Sequence, residues 1–117
     1  DLIIALISGG GSALMAYPYE PVTLEEKIGT IKTLMLRGVD IFQLNTVRKH
    51  ISKVKEGRLA ERAYPSFVLS LIFSDVVGDR IDIIASGPTA PDPSTYADAF
   101  KVLNTFGIIT FQRMLYR

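Results

Sequence analysis

Residues 2–12 read LIIALISGGGS, and this stretch decides the class of fold. Residues 2–7 form a nearly continuous apolar run, which is typical of a strand buried on both faces of a parallel sheet. Residues 67–73, FVLSLIF, repeat the pattern. The segment between the two runs carries helical signals rather than a hairpin turn, as a parallel connection requires. The sequence therefore predicts an α/β protein with a parallel sheet and crossover helices (Rossmann-like).

The helices are predicted from capping signals and apolar spacing. One begins at Thr23, which has capping-box spacing to Glu26, and another begins near Asp40. Further helices are expected at residues 59–63 and 95–104. The short apolar segment that follows the second strand is either a third strand or an irregular return of the chain.

Composition limits the classes of function. A chain of 117 residues with 48% hydrophobic and 21% charged side chains fits one soluble globular domain. A net charge of +1 lacks the basic footprint of a nucleic-acid binder, so no nucleic-acid partner is predicted. No apolar run approaches the roughly 20 residues that span a bilayer, so no membrane partner is predicted either. The absence of cysteine fits a cytoplasmic protein. Because Asp1 leads straight into the first strand, we expect a partial domain.

The loops after the two strands are the predicted functional site. Ligands bind outside the carboxyl ends of parallel strands, and both loops should lie at that edge. Successive glycines allow backbone N–H groups to surround an anion, and two hydroxyls flank them. The phosphate-binding candidates are therefore Ser8, Gly9, Gly10, Gly11 and Ser12. The alternative is a simple tight turn, because the loop matches neither the dinucleotide fingerprint nor the P-loop.

The second loop offers two carboxylates, Asp75 and Asp79, four residues apart. Such a pair could hold Mg²⁺ largely through water, as is usual for this ion. Alternatively, one carboxylate caps a helix or loop and the other is solvated. The sequence leaves both interpretations open.

Two further segments supply polar candidates. Residues 86–94, SGPTAPDPS, are stiffened by prolines, so Ser86 and Thr89 either line a shaped pocket or belong to an ordinary turn. Residues 48–62 are rich in Lys and Arg, and most of this stretch is interpreted as a solvated helix face.

The start of that basic stretch lies on the helix that begins near Asp40. Helical spacing places Asn45, Arg48 and Lys49 away from its apolar stripe, where they could receive a carboxylate or a phosphate. These three residues are the remaining site candidates. The single histidine, His50, is assigned no chemistry.

Five ordered segments together resemble the glycerate 2-kinase family. They are residues 7–14, ISGGGSAL; 23–27, TLEEK; 45–52, NTVRKHIS; 71–79, LIFSDVVGD; and 84–95, IASGPTAPDPST. The resemblance covers residues 1–107, as part of the family's N-terminal domain, whereas residues 108–117 form a divergent tail. The C-terminal domain that closes the active site of family enzymes is not expected within this chain.

The resemblance implies transfer of the ATP γ-phosphoryl group to the 2-hydroxyl of D-glycerate, with Mg²⁺. It implies that the glycine loop binds phosphate and that Asp75 and Asp79 hold the metal, with Asp75 alternatively the base for the attacking hydroxyl. Arg48 and Lys49 would balance the transferred charge, and the substrate would contact Asn45, Ser86 and Thr89. The competing hypothesis is a noncatalytic phosphate- or nucleotide-binding remnant.

Overall fold

The computed structural model describes residues 1–20 and 22–108 of the chain. The chain divides into two compact units. The sheet unit comprises residues 1–17 and 53–92, and the helical unit comprises residues 18–52 and 93–117. Of the predicted divergent tail, residues 109–117 lie outside the described part of the chain.

Strands and helices follow the predicted order. In chain order they are β1 (Leu2–Ser8), α1 (Gly11–Leu14), α2 (Leu24–Leu36), α3 (Ile41–His50), α4 (Arg58–Ala63), β2 (Phe67–Phe73), a 3₁₀ turn (Ile84–Ser86) and α5 (Tyr96–Thr105).

The sheet unit is built on β1 and β2, which pair in parallel from Leu2 opposite Phe67 to Ser8 opposite Phe73. All the helices between them in sequence belong to the crossover, so the predicted α/β class with a parallel sheet is confirmed. The 3₁₀ turn packs Ile84 against Ile7 on one face of the sheet. The segment after β2 is thus an irregular return and not a third strand.

The prediction that both strand faces are buried is wrong for this chain. Strand side chains alternate between the two faces of a sheet. The face that carries Leu6 and Leu71 is exposed along both strands, with Leu6 78% and Leu71 53% exposed. Continuous apolar runs are typical of strands with a layer on each face, and within the described residues only one face has such a layer.

The helical unit starts each of its helices with a capping box. The pairs are Thr23 with Glu26 on α2, Asp40 with Gln43 on α3 and Thr95 with Asp98 on α5. In each pair the first side chain accepts from the backbone N–H of the third helical residue, which satisfies one of the free donors at the helix start. These local signals explain why the predicted helix starts are correct to within a residue.

A single apolar cluster holds the helical unit together. Its buried members come from all three helices and the segments beside them: Val22, Ile31, Leu34, Leu44, Val47, Ile51, Val102, Leu103 and Ile108. On α2 and α3 these members are three or four residues apart, which is the spacing of one helical face. On α5 they are the adjacent residues Val102 and Leu103. None of the helices in the described ranges has the length and hydropathy needed to span a bilayer.

Candidate functional site

The ends of β1 and β2 bring two predicted loops into contact. Ser8 and Phe73 are register partners at the carboxyl ends of the strands, so the chain leaves the sheet at the same edge in both places. A methyl group placed on Gly9 would lie 1.9 Å from Asp75 Oδ2, which is far inside van der Waals contact. The Gly9 backbone therefore packs directly on the Asp75 carboxyl group, and no larger residue fits there unless that group moves.

The glycine loop turns the chain from β1 into α1. Gly10 has a φ of 80°, a left-handed conformation that glycine adopts without strain, and Gly11 opens the helix. The sequence analysis gave a tight turn and an anion-binding loop as alternatives for residues 8–12. The two are compatible, because the same backbone can form the turn and bind an anion. The structure shows the turn, and phosphate binding stays a prediction.

Asp75 and Asp79 both lie exposed beyond the end of β2. Ser74 organises the start of this loop, because its Oγ accepts from the Val76 N–H at 3.2 Å. The Asp79 N–H donates to the Val76 carbonyl at 3.0 Å, and Asp79 has a φ of 52°. Both carboxylates are thus exposed to solvent on a hydrogen-bonded turn. The Asp75 carboxylate also lies next to the glycine loop.

A buried lysine, Lys55, supports the glycine loop from inside the sheet unit. Its side chain is only 1% exposed, and its Nζ donates to the Ser12 carbonyl at 2.7 Å and to Ser12 Oγ at 2.6 Å. Ser12 Oγ in turn lies 2.7 Å from Ser86 Oγ. The interpretation of the basic stretch as a solvated helix face is therefore wrong at this position.

No signal in the sequence distinguishes Lys55 from its basic neighbours. Lys53, two residues earlier, is partly exposed and places its Nζ 4.8 Å from the centre of the Tyr17 ring. Both lysines lie in an irregular segment, where no periodic pattern reports which side chain is buried. Sequence reasoning therefore missed Lys55.

Ser86 is the last residue of the 3₁₀ turn, and Thr89 lies on the segment that follows it. Ser86 is 3% exposed and has a φ of 63°, and its hydroxyl contacts Ser12. The Thr89 hydroxyl accepts from Ser70 Oγ of β2 at 2.8 Å. The segment is also held by backbone bonds, including Gly57 N–H to the Gly87 carbonyl at 2.8 Å. These hydroxyls shape the segment, while their predicted contact with a substrate stays a prediction.

Asn45, Arg48 and Lys49 lie on α3, in the helical unit. Asn45 and Arg48 are partly exposed, and burial lowers the pKa of the Arg48 guanidinium. Lys49 is only 7% exposed, so its predicted orientation away from the packed face is wrong. The long methylene stem of lysine can pack on apolar groups, which a count of helical turns does not anticipate.

Arg48 also influences a neighbouring cation in the helical unit. Burial and, secondarily, the positive charge of Arg48 lower the pKa of Lys27 on α2. Lys27 is 7% exposed although it lies among positions expected to be polar. Arg48 and Lys27 are therefore close enough for their positive charges to interact.

The structure therefore gathers the glycine loop, Asp75 and Ser86 within the sheet unit. The α/β fold with its site at the carboxyl ends of parallel strands belongs to the class in which loops of this kind hold ligands. A family model described as "Domain of unknown function (DUF4147)" matches residues 1–115. The chain belongs to this family.

Curated relatives and solved structures carry more specific names. The chain is 53% identical over 110 residues to the D-glycerate 2-kinase of Thermotoga maritima, covering 94% of this chain and 26% of that protein. It is 52% identical over 108 residues to the glycerate kinase of Homo sapiens, covering 92% and 21%. The crystal structure of a Thermotoga maritima glycerate kinase superposes with a TM-score of 0.89 at 52% identity, covering 96% of this chain and 27% of that one.

These comparisons confirm the resemblance to glycerate kinases and the α/β fold. The chain spans 21% to 27% of the length of these relatives. The activity of the full-length relatives is therefore assigned to this chain only as a proposal.

Proposed function

We propose that this chain is part of a cytoplasmic glycerate 2-kinase, which transfers the γ-phosphoryl group of ATP to the 2-hydroxyl of D-glycerate. The observation that carries the proposal is the contact between the Gly9 backbone and the Asp75 carboxyl group at the carboxyl ends of β1 and β2. It joins a loop suited to phosphate with an acidic loop, in a chain 52% to 53% identical to named glycerate kinases. Phosphoryl transfer depends mainly on such positioning and on charge stabilisation.

The sheet unit supplies the phosphate side of the reaction. The backbone N–H groups and hydroxyls of residues 8–12 bind phosphate oxygens of ATP. Asp75 and Asp79 offer exposed carboxylate oxygens, which are the ligand type that Mg²⁺ prefers, so these residues fit the ion. Bound Mg²⁺ would neutralise phosphate charge. Asp75 is alternatively the base that orients the attacking hydroxyl, which its exposure beside the loop permits.

Residues of α3 are the cationic candidates. Arg48 suits the glycerate carboxylate or the transferred charge better than Lys49, because Arg48 is partly exposed and its planar fork matches carboxylate and phosphate. Asn45, one helical turn before Lys49, adds an amide that can bind a substrate hydroxyl. Thr89 and Ser86 contribute through the shape of their segment, since both hydroxyls already bind protein atoms.

A second candidate function is noncatalytic phosphate or nucleotide binding. The observation that favours it is the glycine turn itself, whose backbone N–H groups suit an anion whether or not phosphoryl transfer follows. In those relatives a further domain is expected to close the cleft. A chain that holds the glycine loop alone could keep nucleotide affinity without turnover.

A coupled assay for ADP formation separates the two functions. D-Glycerate and MgATP are supplied to this chain and, in parallel, to the longest product of the same locus. Glycerate-dependent ADP formation in the longer product supports the kinase proposal, and its presence in this chain as well excludes the noncatalytic alternative. No glycerate-dependent turnover in either preparation would sink the kinase proposal.

A matched pair of variants ties the activity to this site. Asp75→Asn keeps the size of the side chain and removes its charge, so we expect turnover to fall about 100-fold or more, the loss typical of a displaced or missing catalytic group. Glu61→Gln removes an exposed carboxylate from α4 and serves as the control. Equal activity of the two variants would contradict the role of Asp75.

A further inference from the structure

Lys55 is a buried cation whose ammonium group donates hydrogen bonds to Ser12 of the glycine loop. Its Nζ lies 2.6 Å from Ser12 Oγ and 2.7 Å from the Ser12 carbonyl oxygen, and the side chain is 1% exposed. Burying a charge is costly unless the group is hydrogen-bonded, so these contacts constrain where Ser12 can lie. Ser12 is thus held at two atoms by a group that only donates hydrogen bonds.

The donor and acceptor roles in this cluster follow from counting protons. Ser12 Oγ accepts from Lys55, because an ammonium group has no acceptor. Ser12 Oγ and Ser86 Oγ are 2.7 Å apart, and that contact holds one of their two protons. Ser86 is 3% exposed, and within the described residues its Oγ contacts Ser12 Oγ alone. Ser86 therefore donates, because a buried hydroxyl proton left without an acceptor is costly.

The consequence is an outward-directed proton on Ser12. Lys55 and Ser86 both donate to the Ser12 oxygen, so neither of them accepts the Ser12 hydroxyl proton. That proton is therefore directed away from both side chains. Ser12 is partly exposed and directly follows the three glycines, so a ligand bound at the loop can supply the missing acceptor. A hydroxyl that accepts two hydrogen bonds, one of them from a cation, is polarised and becomes a stronger donor.

We infer that Lys55 is a positioning residue that orients the Ser12 hydroxyl as a hydrogen-bond donor to a phosphoryl oxygen bound at the glycine loop. The inference rests on the proposed phosphate role of that loop. Lys55 acts through Ser12 and does not touch the ligand, since its own side chain is almost completely buried. Ser86 completes the arrangement by occupying the second acceptor position of Ser12.

The test is a double-mutant cycle on phosphate binding. Inorganic phosphate and MgATP, in separate titrations, are measured by calorimetry on the longest product of the locus. Lys55→Met and Ser12→Ala should each weaken phosphate binding about tenfold, the loss of roughly one charge-assisted hydrogen bond. The double variant should bind no more weakly than either single variant, because both changes remove the same donor.

Two variants keep the test decisive. Lys53→Met removes a cation two residues away that lies over the Tyr17 ring, and we expect it to leave phosphate binding unchanged. Lys55→Gln keeps an uncharged NH₂ group that can still donate to Ser12, so it should bind phosphate with intermediate affinity and can replace Lys55→Met in the cycle if the methionine variant does not fold.

The outcomes separate this inference from the proposed function. A folded Lys55→Met protein with wild-type affinity, additive losses in the double variant, or a wild type that binds no phosphate would each overturn the positioning role. Glycerate-dependent ADP formation is read separately in the coupled assay. If turnover is present and the cycle shows no coupling, only the inference fails. If coupling is present without turnover, only the kinase proposal fails.

Discussion

The helical unit and the sheet unit differ in how far they bury their apolar side chains. In the helical unit Leu34, Val47 and Leu103 are completely buried. In the sheet unit Leu6 and Phe73 are both 78% exposed. A helix needs one partner surface for its apolar stripe, and α2, α3 and α5 provide it for one another. A strand of a parallel sheet needs a layer on each face, so a continuous apolar run does not by itself ensure burial.

The largest expected difference between the units is in the cost of truncating a leucine. Leu34→Ala leaves a cavity in the core of the helical unit and should lower the free energy of unfolding by about 2–5 kcal/mol. Leu6→Ala, on the exposed face of the sheet, should change it by less than about 0.5 kcal/mol. Urea unfolding followed by circular dichroism measures both. Similar losses would mean that Leu6 is covered in solution.

The exposed sheet face should also make the isolated chain associate with itself. Contiguous apolar surface of this kind promotes contacts between molecules. Leu6 and Leu71 are register partners on that face, so Leu6→Lys combined with Leu71→Glu places opposite charges across the strands and should reduce association. Light scattering measures the mass. Leu36→Lys, at an 88% exposed position of α2, is the control. A wild type that is a clean monomer would contradict this prediction.

The two units should respond differently to the same glycine change. Gly9→Ala in the sheet unit forces the Asp75 carboxyl group to move, and a displacement of about 1 Å in such a site costs about 100-fold in rate. Gly29→Ala, within α2, has nothing within 4 Å of the added methyl group. It should leave the rate unchanged and raise the free energy of unfolding by about 0.5–1 kcal/mol through helix propensity. The coupled ADP assay and urea unfolding test the pair, and a fully active Gly9→Ala enzyme would refute the site geometry.

The smallest expected effect is a pH dependence at the start of α5. Hydrogen bonds from the Thr95 backbone and then from its side chain lower the pKa of the Asp98 carboxyl group. Its contribution to stability is therefore present above the unfolded pKa, about 3.9, and is lost as the pH falls through the lower folded pKa. Asp98→Asn should reduce the free energy of unfolding at pH 7, and this reduction should become smaller as the pH falls below about 3.9.

The control for that titration is Glu25→Gln on α2, an exposed carboxylate outside the capping pair of that helix. Its loss should be smaller than that of Asp98→Asn at pH 7. A difference between wild type and Asp98→Asn that does not change with pH would show that the charge of Asp98 contributes nothing to the cap.

Elements with a local cause were predictable from the sequence. Thr23 and Glu26 carry the capping box of α2 in four residues, and the structure forms both of its hydrogen bonds. The strand at residues 67–73 has the predicted bounds, because its apolar run is sharply delimited by Pro65 and Ser74. The contact between the two loops follows from topology, since parallel strands deliver their carboxyl ends to one edge.

Elements without a periodic pattern were not predictable. Lys55 lies in an irregular segment, and the basic composition of that stretch assigned it to solvent. Helical spacing placed Lys49 away from the apolar stripe of α3, although its side chain is buried. The 3₁₀ turn at residues 84–86 contains Ala85 with a φ of 51°, a conformation that no residue preference favours for alanine. Long-range packing against Ile7 selects it.

The sequence by itself determined the two strand segments, the capped helices and the glycine loop, because each depends on residues within a few positions of one another. Only the tertiary structure decided that Gly9 packs on Asp75, that Lys55 and Ser86 hold Ser12, and that one sheet face is exposed. Ser12, for example, contacts Lys55 43 positions away and Ser86 74 positions away in the sequence. Such pairs are selected by packing and desolvation in the folded protein, and neither produces a periodic pattern in the sequence.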